Sequence, residues 1–204
     1  MAETGTSENK KKTVAIVGAG IVGVSAAVWL QREGHDVILI DKAGPGEGTS
    51  YGNGGVLASV AVVPVTVPGL MKKAPGMLLS PDSPLFLRWS YLPRLAPWLL
   101  QFIRASGPQR VEEISIALGQ LLAGSISAYE PLLEVAGIRD MIRRSGWVSV
   151  YETEAGFRSY EPMLELQRRR GVNFEVLPAE ELKQLAPSLA PIFCRGVFYP
   201  DVAY

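Results

Sequence analysis

The run Gly18-Ala19-Gly20-Ile21-Val22-Gly23 spaces three glycines as a backbone turn must to meet a pyrophosphate. Each glycine answers a separate steric demand. Gly18 permits the turn off a strand, Gly20 lets a diphosphate approach the main chain, and Gly23 lets the following helix lie close to that strand. Ala19, Ile21 and Val22 complete the turn and the helix start, whose amide donors and positive dipole end favour an anion.

Asp41 follows about 20 residues on, where an acidic side chain accepts hydrogen bonds from the hydroxyls of an adenosine ribose. Its charge would repel a 2′-phosphate, which argues against NADP. The plainer reading of Asp41 is a residue that starts a turn. Lys42 either assists at the ribose or phosphate or is an ordinary surface lysine. In Gly48-Thr49-Ser50-Tyr51-Gly52-Asn53-Gly54-Gly55, the side chains of Thr49, Ser50 and Asn53 and the amides of Gly54 and Gly55 follow directly on. These groups suit a pyrophosphate and a ring system beyond it, so FAD is favoured over NAD, whose domain more often runs straight into a second crossover helix.

The elements that must hold these groups are legible around them. Val14–Val17 is a short β-branched run of the kind expected for a parallel strand covered on both faces. Ile21–Glu33 reads as a helix with Gly34 as its C′ residue, and Val37–Ile40 as the next buried strand. Two apolar strands joined by a glycine-led helix make a right-handed parallel βαβ unit. The expected class is α/β: a Rossmann-like βαβ unit with an incomplete parallel sheet, followed by part of an α+β substrate domain. Residues 1–12 are expected to be a disordered tail, 13–57 the nucleotide-binding unit and loop, and 58–204 a helical segment and the partial substrate domain.

Seven prolines between Val56 and Ile103 allow only short helices there. Leu85–Ile103, with Arg88, Arg94 and Arg104 among Trp and Leu, fits an interfacial helix, but burial against the next helices is preferred. Gln109–Val135 has helical spacing broken at Gly124 and ended by Gly137. Trp147–Tyr151 reads as a strand, Ala155–Arg170 as a helix stopped by Gly171, Val172–Leu177 as a strand, Pro178–Leu185 as a helix and Gly196–Tyr199 as a strand. Arg168-Arg169-Arg170 lies where cations complement a helix C-terminus, so a solvated last turn is preferred to an anion site.

Composition narrows the partners. Lysine plus arginine and aspartate plus glutamate each number 20, so no net field draws in nucleic acid, and a small molecule is the expected partner. One cysteine excludes an internal disulfide, and with one histidine no zinc cluster of the usual type can form. His35 is read as a solvated turn and Cys194 as core packing, and neither is a candidate site residue. The glycines at 18, 20 and 23 argue against a signal peptide after Lys10-Lys11-Lys12. The default location is cytoplasmic, with a peripheral seat on the inner membrane left open.

With these motifs, from Val14 through Gly23, at Asp41 and across Thr49–Gly55, the chain resembles the D-amino-acid oxidase and dehydrogenase superfamily of flavoenzymes, bacterial D-amino-acid dehydrogenases above all. Weaker similarity runs through Trp98–Phe102, Glu180–Leu182 and Gly196–Pro200. The resemblance implies FAD as cofactor and hydride transfer from the α-carbon of a D-amino acid or related amine to the flavin. It assigns Gly18, Gly20 and Gly23 to the pyrophosphate, Asp41 to the ribose, and Thr49, Ser50, Asn53, Gly54 and Gly55 to the pyrophosphate and flavin side. No catalytic residue carries over, because that family's substrate-carboxylate ligands lie mainly in its C-terminal half. That half is expected to be absent here, as in a truncated product that binds FAD poorly. Two other readings stay open: an NAD-linked dehydrogenase, and a non-catalytic module that supplies half a site to a second subunit. Quinone, dye and oxygen all remain candidates as electron acceptor.

Overall fold

The computed structural model describes residues 10–66 and 88–204 of the chain. Residues 1–9 of the tail expected over residues 1–12 lie outside the described residues, as do Pro68, Pro75, Pro81 and Pro84, but the expected disorder does not extend to Lys11 and Lys12: Lys11 pairs with Asp36, and the Lys12 carbonyl accepts from the Asp36 amide at 2.9 Å. The chain divides into two compact units, one holding residues up to Gly55 with Tyr129–Arg139, the other Val56–Ala128 with Asp140–Tyr204.

In the first unit, β1 (Thr13–Val17), α1 (Ile21–Arg32) and β2 (Asp36–Ile40) follow in order. β1 and β2 pair in parallel, with Thr13 opposite Asp36 and Val17 opposite Ile40. Gly34, at φ +88°, ends α1 as a C′ residue. Its amide donates to the Gln31 carbonyl and that of His35 to Leu30, the paired bonds of a Schellman stop. The chain thereby reverses into β2 without stranded carbonyls.

The expectation that both strands are covered on both faces does not hold. Val17 is 85% exposed, and Ile38 and Ile40 are also open. The cause is the number of partners: among the described residues this sheet has two strands and carries one helix, which covers one face, however apolar its strands are.

In the second unit, α2 (Leu92–Ala105) is preceded by a 3₁₀ turn at Trp89–Tyr91 and followed by α3 (Pro108–Leu122). α2 departs from the expectation of short helices, since it runs for 14 residues with Pro97 inside. Pro93 stands in its first turn, where a missing N–H costs nothing, and Pro97 removes only the bond to the Pro93 carbonyl. α4 (Ser125–Ala136) begins after Gly124, whose φ of +83° breaks the helical run as its position predicts; α4 crosses the division between the units.

After a 3₁₀ turn at Arg139–Met141, β3 (Trp147–Tyr151), α5 (Glu154–Arg169), β4 (Glu175–Pro178), α6 (Ala179–Leu185) and β5 (Arg195–Tyr199) complete the described elements. β5 is central in the three-stranded sheet and antiparallel to both neighbours, with Ser149 and Val176 each opposite Val197. The strand expected from Val172 starts only at Glu175, because residues just after Gly171 close the α5 stop, Val172 donating to the Gln167 carbonyl. Thr153 caps α5, its hydroxyl accepting from the Gly156 amide at 3.0 Å, a bond worth about 1 kcal/mol.

The core lies between this sheet and α5, where Phe157, Leu164, Val197, Tyr199 and Val202 are buried together. Complete burial of Val197 contributes about 2 kcal/mol. Inside it the Tyr199 hydroxyl donates to Gln167 Oε1 at 3.0 Å, so neither buried polar group is stranded.

The arginine run at the end of α5 also departs from the sequence reading. Arg168 is solvated and pairs with Glu165, but Arg170 is only 16% exposed. It pairs with Glu112 and donates from Nε to the Ser115 hydroxyl at 3.2 Å, while Arg169 meets the other oxygen of Glu112. The run therefore clamps α3 to α5. Its signal in the sequence, Glu112 and Ser115 one helical turn apart, is too common to read.

Candidate cofactor site

The turn between β1 and α1 is built as the glycine spacing requires. Gly18 adopts φ +105°, open only to glycine without strain, and its amide donates to the Ile40 carbonyl at 2.8 Å, tying the turn to the end of β2. Gly20 is the N-cap of α1. A Cβ on Gly23 would lie 1.8 Å from the Gly18 carbonyl oxygen, so any side chain there pushes helix and turn apart. A Cβ on Gly20 would stand 3.0 Å from Ser50 Oγ, on the surface where a ligand would approach the main chain.

Two side chains converge on the amides of this turn. Asp41 Oδ2 accepts from Ala19 at 2.6 Å and Oδ1 from Ala43 at 3.1 Å. The Ala19 amide chiefly, then that of Ala43, hold the Asp41 carboxyl below the usual carboxylate range, and Lys42 adds its amide and its charge in the same direction. Ser50 Oγ accepts from the Ile21 amide at 2.8 Å. The hydroxyl thus occupies the position an anionic oxygen would take at the start of α1.

Of the candidate residues, the structure brings Gly18, Ala19, Gly20, Ile21, Gly23, Asp41 and Ser50 into one network. Val22 is in the first turn of α1 with its side chain exposed. No hydrogen bond joins Thr49, Asn53, Gly54 or Gly55 to that network; instead Asn53 Oδ1 accepts from the Gly55 amide at 2.7 Å, closing an Asx turn of their own loop. Sequence reasoning missed Gly46 and Glu47. The Gly46 amide donates to the Ala19 carbonyl at 2.8 Å, and Glu47 Oε2 accepts from Gly44, folding the loop back onto the glycine turn. The clustered glycines and Pro45 signalled a turn there but not its docking point.

The residues therefore fit a dinucleotide: a cradle that a Cβ would fill at Gly20, amide donors at the tip of a helix, and an ionised carboxylate beside them. Among the described residues no cluster of His, Cys, Asp and Glu could hold a metal ion.

The family model described as DAO, FAD dependent oxidoreductase, matches residues 13–204. A D-amino-acid oxidase of Bradyrhizobium diazoefficiens is 40% identical over 187 residues, which are 90% of this chain and 44% of that protein. D-amino acid dehydrogenase 2 of Ralstonia nicotianae is 38% identical over 179 residues, 87% of this chain and 42% of its own. The chain thus spans less than half the length of these curated relatives. Among solved structures, glycine oxidases of Bacillus cereus and Geobacillus kaustophilus superpose with a TM-score of 0.55 each, at 18% and 22% identity. They cover 96% and 95% of this chain, and it covers 40% of each of them. At such identities the likeness speaks for the fold alone.

Proposed function

The chain belongs to the DAO family of FAD-dependent oxidoreductases, and from that premise we propose that its β1-α1-β2 unit holds FAD in an oxidation of D-amino acids or related amines. The observation that carries the reading is the meeting of Asp41, Ser50 and the glycine turn at the start of α1. The amides of Ala19, Ile21 and Val22 bind and orient the diphosphate. Asp41 orients the adenosine by accepting from its ribose hydroxyls, and for that it must be ionised, as its backbone partners keep it. Ser50 turns its hydroxyl from the Ile21 amide toward the phosphates, and Lys42 balances charge at the same edge. Thr49, Asn53, Gly54 and Gly55 extend this contact toward the flavin side. FAD, when bound, supplies the chemistry by accepting a hydride from the substrate α-carbon. The names of the two oxidase and dehydrogenase relatives support this choice of substrate.

The test is an absorption spectrum of the purified chain, with dye reduction on adding D-amino acids. Flavin bands and D-specific reduction support the reading; a colourless chain that takes up no added FAD contradicts it. A second reading has its own observation. The exposed apolar residues of β1 and β2 and the open edge of their two-stranded sheet favour a half-site completed by further polypeptide, such as a second subunit. Co-purification of a second chain that raises flavin content would favour that reading.

A further inference from the structure

A cavity of about 340 Å³ lies in the second unit, and every residue that lines it belongs to that unit. Gln167, Tyr199 and Val202 are its buried floor, while Ala58, Ala61 and Trp147 are exposed at its mouth. The cofactor site of the first unit uses none of these residues.

Gln167 is the polar group at the bottom, 4% exposed and carried by α5. The Tyr199 hydroxyl satisfies its Oε1. Its Nε2 is served less well, since it reaches only the Val60 carbonyl, at 3.5 Å, the outer limit of such a bond. A side-chain amide carries two N–H donors. One is therefore weakly met and the other has no partner among the described residues, a standing cost that an incoming acceptor removes.

Ser149 is a second donor in the same wall. Its Oγ accepts from Trp147 Nε1 at 3.2 Å, which holds the indole beside the cavity and leaves the hydroxyl proton for another partner. Trp147 and Tyr160 supply aromatic surface, and the rest of the lining is valine and alanine beside the floor groups. No charged side chain lines the cavity.

We propose that this cavity binds an uncharged aromatic carbonyl compound, its ring against Trp147 and Tyr160 and its oxygen accepting from Gln167 Nε2. The volume suits one ring with a short substituent, since a cavity of about 150 Å³ already holds benzene and small-ligand pockets begin near about 300 Å³. A D-amino acid does not fit, because its carboxylate and ammonium groups would lose water and gain no counter-charge. An apolar side chain of another protein would fill the space but leave the Gln167 donors unmet. The ligand is thus distinct from the proposed substrate, and the inference does not rest on the flavin reading.

The test is a titration of the ¹⁵N-labelled full chain with acetophenone, followed at the side-chain amide of Gln167 and the indole of Trp147. Both signals should shift and saturate together. Gln167→Met with Tyr199→Phe removes both members of the buried bond, so the fold is kept while the donor is lost. In that variant acetophenone should bind about tenfold more weakly, whereas ethylbenzene, which has no acceptor, should bind as it does to the parent. Ala61→Phe, substituted at the exposed mouth, should abolish binding of both. The proposal is overturned if acetophenone causes no saturable shift, if benzoate binds as tightly, if the double variant loses no affinity for acetophenone, or if Ala61→Phe binds like the parent. It is also overturned by a dimer that Ala61→Phe abolishes in a chain that ignores acetophenone, since the cavity then meets polypeptide. Flavin content plays no part in this readout, so its failure is distinct from failure of FAD binding.

Discussion

The carboxylate of Asp41 and the amide of Ala19 meet at 2.6 Å, across 22 residues of sequence. The bond ties the end of the second strand to the turn after the first, so the proposed cofactor site has a donor and an acceptor side by side. A ligand that takes the amide must share or displace this carboxylate, and a ribose can satisfy it in return. Binding and the local fold are thereby linked.

Substitution at the two close-packed glycines should separate folding from binding. Gly23→Ala forces a Cβ to within 1.8 Å of backbone and should destabilise the chain by about 2 kcal/mol or more, seen in urea unfolding. Gly20→Ala meets only the movable Ser50 hydroxyl and should cost less than about 1 kcal/mol, while still weakening FAD binding. Equal loss of stability in the two variants would contradict the packing argument.

Asp41 sets an acid limit on the turn. Its folded carboxyl titrates below the ordinary carboxylate range, so its contribution to stability is complete above the unfolded value and disappears as pH falls through the folded one. Amide exchange at Ala19 should therefore accelerate below about pH 4 beyond the change in intrinsic rate. Asp41→Asn should remove that extra acceleration; an unaltered profile would show that the bond contributes nothing.

The Glu112 and Arg170 pair should behave as a coupled unit. Arg170→Met leaves Glu112 with Arg169 alone and Ser115 buried without its partner, and should cost about 1–3 kcal/mol. Adding Glu112→Gln should cost less in that background than in the parent, with a coupling of about 1 kcal/mol in a double-mutant cycle. Additivity would refute the clamp.

Alkali should loosen the second unit. Burial first, then Tyr160, pushes the Tyr151 hydroxyl up to about 12, and burial with the same neighbour also pushes the Tyr199 hydroxyl up. Both favour the neutral form, so the stability they add is complete below pH 10 and is lost as pH rises through their folded values. Unfolding midpoints should fall above about pH 10, and less so in Tyr151→Phe.

The first unit was readable because its constraints are local. Gly18, Gly20, Gly23 and Gly34 each answer a steric need set within a few residues, and Asp41 stands at a fixed distance along a strand-helix-strand. Most boundaries of α5, α6, β3 and β5 were legible for the same reason, from Gly171, Pro178 and the apolar alternation. What escaped depends on contacts distant in sequence: the central place of β5, the return of Gly46 onto Ala19, the Arg170 clamp, and the exposure of Val17 and Ile40 in a sheet that has two strands among the described residues. α2 escaped for a different cause, since prolines in the first turn and on one face of a helix are tolerated, and counting them overstated their effect.

The proposed site rests most directly on recognition of the adenosine diphosphate end of FAD by the glycine turn. Calorimetric titration of the full chain with FAD and with FMN, which lacks that end, measures this. FAD should bind, Asp41→Ala should weaken it about tenfold, and FMN should bind far more weakly. FMN binding as tightly as FAD, with Asp41→Ala without effect, would contradict the account.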